Sequence, residues 1–131
     1  MYKLYGQIAA IFGALAVILG AYGAHGLKPL LDEYSLSIYE KGITYHFYHT
    51  FALLAITLLM SRSTNSMLMW SGNCFALGIL FFCGSLYLLA TRSLLHTEGL
   101  TPILGPITPL GGLFFIAGWV FLGLYFFKIN P

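Results

Sequence analysis

Apolar and polar positions alternate along this chain in long blocks, and its charges set off four apolar segments at about Leu4–Ala24, Tyr45–Met60, Met67–Ala90 and Leu110–Phe127. Each is close to the roughly 20 residues a helix needs to cross a 30 Å hydrocarbon layer. Helices are required because backbone polar groups in lipid must be satisfied within their own segment, and no ten-residue alternating pattern suggests a barrel. Between Leu27 and Lys41 the pattern changes. Leu27, Leu30, Leu31, Tyr34 and Ile38 recur at helical spacing, Lys28, Asp32, Glu33 and Glu40 lie largely elsewhere on the wheel, and Pro29 suits a first turn. This predicts a short amphipathic helix lying in the interface. Ser61–Ser66 reads as a tight polar turn. Thr91–Pro109, with Pro102, Pro106 and Pro109, reads as irregular chain until the fourth helix begins. The fold class is therefore all-α, an integral membrane four-helix bundle with an interfacial amphipathic helix after the first span, residues 1–131 forming one membrane domain.

Composition agrees. The 131 residues are 59% hydrophobic and 8% charged, against roughly 45–50% and 25% in soluble domains, and a chain this short cannot hide that much apolar surface in one core. Six scattered Lys and Arg give a formal net charge of +2 and no basic patch, which excludes nucleic acid as a partner. Cys74 and Cys83 are nine residues apart on one predicted helix, about 13 Å, too far to pair. The first apolar run exceeds the length of a signal-peptide core, so it is expected to be a retained span. Lys and Arg divide equally between the two sides and do not set an orientation. Asp32, Glu33, Glu40 and Glu98 all lie on the side away from the termini, which favours both termini in the cytoplasm.

Helices in lipid approach closely through small residues. Gly6, Ala9, Gly13, Ala16, Gly20 and Gly23 step by threes and fours along the first span and predict a continuous packing face for another helix. Four spans also place the end of the first, the start of the second, the end of the third and the start of the fourth on one side. There the unusual polar residues gather: His25; Tyr45, His46, His49 and Thr50; Ser85, Tyr87, Thr91 and Arg92; Thr108. Ionisable groups at membrane depth are costly and mark function by default. Three readings compete. His25 and His49 could approach as metal or haem ligands, although no third or fourth ligand is visible. The cluster could bind a polar or anionic small molecule or membrane lipid, or relay protons, with Arg92 turned toward Tyr45 and His49. His and Tyr could also simply anchor span ends in the interface. Asn73 and Gln7, near the opposite face, read as interhelical hydrogen-bond partners. No nucleophile elbow, phosphate loop or paired carboxylate appears, so an enzyme is the least favoured class.

Four strings carry a resemblance: Gly20-Ala21-Tyr22-Gly23-Ala24-His25-Gly26; Gly42-Ile43-Thr44-Tyr45-His46-Phe47-Tyr48-His49; Gly84-Ser85-Leu86-Tyr87; and Thr108-Pro109-Leu110-Gly111-Gly112 with Gly118-Trp119. In order and content they resemble the small bacterial inner-membrane family called domain of unknown function 423, which is similar to animal transmembrane protein 256. The resemblance spans nearly the whole chain and implies a four-helix inner-membrane protein, with no activity attached. Lys41 stands where the bacterial pattern has Thr, and His46 where Gln is frequent.

The reading that results is a membrane module binding a small ligand or partner, its polar site formed by His25, Tyr45, His49, Ser85, Tyr87, Arg92 and Thr108. The alternative is a subunit of a proton, metal or small-ion transporter or channel. So small a bundle would then act as a homo-oligomer or within a larger membrane complex. No cofactor is assignable. A polar file from the histidines to Asn73 and Gln7 would favour passage, an apolar plug between them binding.

Overall fold

The computed structural model describes residues 1–129 and contains no strand among them. Four helical stretches are long and apolar enough to cross a membrane: Tyr2–Leu27, Glu33–Met60, Ser66–Ala90 and Glu98–Lys128. The first comprises α1 (Tyr2–Tyr22) and a π-helical turn, Gly23–Leu27; the second is α2 (Glu33–Met60). The third runs through α3 (Ser66–Gly78), a π turn (Ile79–Cys83) and α4 (Gly84–Ala90). After the short α5 (Arg92–Leu95) and a 3-10 turn, α6 (Thr101–Lys128) completes the bundle.

Two expectations change here. The amphipathic stretch ending at Lys41 is not a separate interfacial helix, because residues 33–41 are the opening turns of α2. Asp32 caps α2, its carboxylate accepting the Ser35 N–H at 2.6 Å, and nothing from Glu33 to Met60 interrupts the backbone ladder. Hydropathy drops at Glu40 and Lys41 because the helix leaves lipid there, not because it ends. The fourth helix likewise begins at Thr101 instead of Leu110. Pro102 occupies the first turn, where a missing N–H costs nothing, and Pro106 and Pro109 are accommodated inside the helix.

Packing is serial: α1 lies on α2, α2 on α3 and α4, and α3 on α6. The expected small-residue face of α1 is present, and its partner is α2. Side chains of Thr57, Thr50, Ile43 and Tyr39 sit opposite Gly6, Gly13, Gly20 and Gly23, while Ala9 and Ala16 are buried between them. This pairing makes α1 and α2 antiparallel. On α6, a Cβ at Gly111 would overlap the Phe82 backbone, and Gly118 lies under the Phe75 ring. The central core holds Leu53, Ile56, Leu68 and Phe75, all fully buried. Ser71 donates to the Gly118 carbonyl at 2.7 Å, and Tyr5 donates to Asn73 Oδ1 at 2.8 Å, tying α1 to α3.

Candidate functional site

Exposed Lys41 and Arg62 bracket twenty residues, nineteen of them in α2, about 30 Å of chain at helical rise, which matches a hydrocarbon layer. His46 and His49 lie five and eight residues below Lys41, about 8 and 12 Å deep. They are therefore inside the hydrocarbon and not at the end of the bundle.

His49 is almost fully buried and sits in an aromatic box. Its ring stacks on Phe115 with centroids 3.5 Å apart and planes 10° apart, Phe75 and Trp119 close two further sides, and Tyr45 stacks one turn away at 5.8 Å. Phe82, from the π turn of the third span, covers Tyr45 at 4.7 Å and Phe115 at 5.4 Å. The polar contacts assign the tautomer. Nδ1 lies 2.7 Å from the Tyr45 carbonyl, which can only accept, so Nδ1 carries the proton. Nε2 then accepts the Trp119 indole N–H at 3.2 Å. The imidazole is neutral with both nitrogens occupied, leaving no lone pair for a metal. Among the described residues, no three His, Cys, Asp or Glu gather in a metal-binding group.

The other expected site residues fall into separate groups. His46 Nδ1 pairs with the Tyr87 hydroxyl at 2.9 Å, one turn above His49. Thr108 Oγ1 donates to Ser85 Oγ at 2.6 Å, and Ser85 Oγ in turn donates to the Phe82 carbonyl at 3.0 Å, linking the third span to the fourth. His25 does not join them. The residue of α1 facing Thr50 is Gly13, so exposed His25 lies about eleven residues, roughly 16 Å, from His49 along the bundle. The joint metal or haem reading of His25 and His49 is therefore incompatible with this packing. Arg92 does not reach inward to Tyr45 and His49 either. It lies at the headgroup end near Asp32, whose carboxyl is held below the usual carboxylate range first by the Ser35 backbone N–H, then by the Ser35 side chain, with the Arg92 charge contributing.

Trp119, Phe115, Phe75 and Phe82 complete the box and were not among the expected site residues. Trp119 carried a signal: tryptophan favours the membrane interface, yet this one lies nine residues inside Lys128. Beside the box a cavity of about 470 Å³, lined by Tyr45, Tyr48, His49, Phe51 and Trp119, opens sideways between α2 and α6.

Fold and site together define a small four-span membrane protein with two buried histidines and an aromatic groove between α2 and α6. The chain belongs to the family described as Protein of unknown function (DUF423), which matches residues 19–112. It is 40% identical to a UPF0382 membrane protein of Staphylococcus aureus over 96% of this chain and 97% of the relative. It is 37% identical to a Haemophilus influenzae UPF0382 membrane protein (98% and 97% covered) and 36% identical to the UPF0382 membrane protein YwdK of Bacillus subtilis (92% and 93%). No solved structure matches the chain.

Proposed function

We propose that the chain is a ligand-binding module of the inner membrane, both termini cytoplasmic, that takes up a lipid-soluble molecule sideways into the groove between α2 and α6. The observation that carries this reading is the pair of phenols on the groove wall. Tyr45 and Tyr48 are 38% and 60% exposed, lie four and seven residues below Lys41, and their hydroxyls have no hydrogen-bond partner among the described residues. In hydrocarbon such groups gain from a ligand that carries its own carbonyl or hydroxyl. The aromatic walls suit a flat or branched apolar body, and His49 and Trp119, already paired, form a rigid floor.

Binding is favoured over passage by what lies deeper. Leu53, Ile56 and Phe75 occupy the levels between His49 and Asn73, all fully buried. Asn73 itself is engaged by Tyr5, and Gln7 faces outward on α1. An apolar plug thus stands where a conducting path would need polar groups.

The test is native mass spectrometry of gently solubilised protein, with extraction of whatever small molecules accompany it. Phe51, exposed on the groove rim, is replaced by Trp to fill the space. The wild type is expected to retain a discrete lipid-soluble molecule that the Phe51→Trp variant has lost, while ordinary annular phospholipid is equal in both. The same complement of molecules on both proteins defeats the reading. The same spectra report the number of chains per particle and so test whether the module works as a homo-oligomer.

A further inference from the structure

The exposed residues of the third span between Met67 and Ala90 are Trp70, Leu77, Leu80, Phe81 and Leu88, and one carboxamide, Asn73. The amide oxygen is occupied, since the Tyr5 hydroxyl donates to Oδ1 at 2.8 Å, beside the Met69 carbonyl at 3.1 Å. The two N–H bonds have no partner among the described residues, and an amide turned over would still keep one of them unpaired. Trp70, three residues earlier and so on the same helix face, is 53% exposed and stacks on Phe121 with centroids 6.3 Å apart. Its indole N–H has no partner among the described residues either, whereas Trp119 gives its own to His49.

These donors line one groove. A cavity of about 420 Å³ between α1 and α3 is bounded by Tyr5, Trp70 and Asn73 together with Ile8, Ala76 and Leu77, and its size falls within the roughly 300–1,000 Å³ of small-molecule sites. α1 and α3 both enter the bilayer from the side of the termini, so the groove has a shallow end and a deep end. Tyr5 is two residues inside Lys3, and Gly6 lies opposite Thr57, five residues inside Arg62, which sets the donors about 3–8 Å below the charged boundary. Their side chains lean back toward the surface, because Cα–Cβ bonds tilt toward the helix N-terminus. Ile8, Ala76 and Leu77 continue the walls inward and carry no polar group.

We propose that this groove binds one ester-linked phospholipid of the leaflet on the side of the termini. The acyl-ester carbonyls, which lie at the edge of the hydrocarbon, accept from Asn73 Nδ2 and Trp70 Nε1, and one acyl chain runs inward past Ile8 and Leu77. Recognition rests on the ester and not on headgroup charge, since the residues lining the cavity include no charged side chain. A second copy of the chain fits less well. Across a two-fold axis the groove would meet itself and set donors against donors, whereas a diacyl phospholipid brings two carbonyl acceptors and no donor at that depth. The site shares no residue with the groove between α2 and α6.

The test uses ester-linked phosphatidylcholine and its ether-linked analogue, alike in headgroup and chains, so that only the carbonyls differ. In native mass spectrometry from micelles holding equal amounts of both, the wild type should retain one lipid, ester over ether by about threefold or more, the ratio one net hydrogen bond supplies. Trp70→Phe, which keeps a ring against Phe121, and Asn73→Leu should each lower that ratio, and Trp70→Phe decides alone if Asn73→Leu does not fold. A wild-type ratio of one, a preference unchanged by the substitutions, or two chains paired through the groove without lipid overturns the proposal. NMR of the wild-type chain in nanodiscs of each lipid gives an independent sign. The indole proton of Trp70, assigned by its absence in Trp70→Phe, should shift between the two lipids while that of Trp119, held by His49, stays in place. An unchanged Trp70 signal overturns the proposal, and a shift without a retained lipid does so too, by reducing Trp70 to an ordinary interfacial anchor.

Discussion

Trp119 on the fourth span donates its indole N–H to Nε2 of His49 on the second, across 3.2 Å and seventy residues of sequence. With Nδ1 committed to the Tyr45 carbonyl, this bond makes the histidine an uncharged spacer between two aromatic layers. Charging the ring would place a second donor on Nε2, facing the indole donor. A neutral, doubly bonded imidazole is the form of histidine that hydrocarbon tolerates best.

Replacing Trp119 with Phe keeps an aromatic ring and removes the donor. His49 Nε2 would be left unpaired in a buried site, at a cost of about 1–3 kcal/mol. The expected result is a Tm several degrees below wild type in detergent, together with a slower-migrating, less compact species on native gels. A melting curve that coincides with wild type would show that the indole bond is dispensable and that stacking alone holds His49.

The glycines of the bundle should divide sharply by what they face. A methyl group on Gly111 has to displace the Phe82 backbone, whereas one on Gly84 meets nothing within 4 Å. Gly111→Ala should therefore abolish most of the folded yield, because backbone at a helix crossing cannot step aside as a side chain can. Gly84→Ala should fold and melt at least as high as wild type, gaining up to about 1 kcal/mol in helix propensity. Equal behaviour of the two variants, measured by size-exclusion recovery, would contradict the crossing of α6 over the third span.

The cap of α2 supplies a pH dependence. Because hydrogen bonds from Ser35 lower the Asp32 pKa in the folded chain, the unfolded chain binds the proton more readily. The stabilisation is fully present above the ordinary carboxylate value of about 3.9 and is lost as pH falls from there through the lower folded value. Thermal melts between about pH 6 and pH 2.5 should show a decline that is smaller in Asp32→Asn, which keeps a capping acceptor that does not ionise. The same decline in both proteins would assign it to other carboxylates.

Much of the architecture was legible without coordinates. Four apolar blocks and the steps of three and four from Gly6 to Gly23 determine four spans and the face that α1 presents, because lipid solvation and close helix approach each act on local residue type. What lies between the blocks was harder to read. Glu40 and Lys41 record where α2 leaves the membrane, yet the helix continues to Glu33, since hydropathy reports the surrounding solvent whereas the helix depends on an unbroken hydrogen-bond ladder. The site shows the same division. That His25, His49, Ser85, Tyr87, Arg92 and Thr108 share one side of the membrane follows from counting spans. Their relative depth does not. Only the pairing of Gly13 with Thr50 sets His25 about 16 Å from His49, and only the crossing of α2 and α6 brings Trp119 to the imidazole. Depth and partnership are properties of helix register, and register is settled by the fit of whole surfaces such as Gly111 on Phe82 and Gly118 under Phe75, which no single stretch of sequence contains.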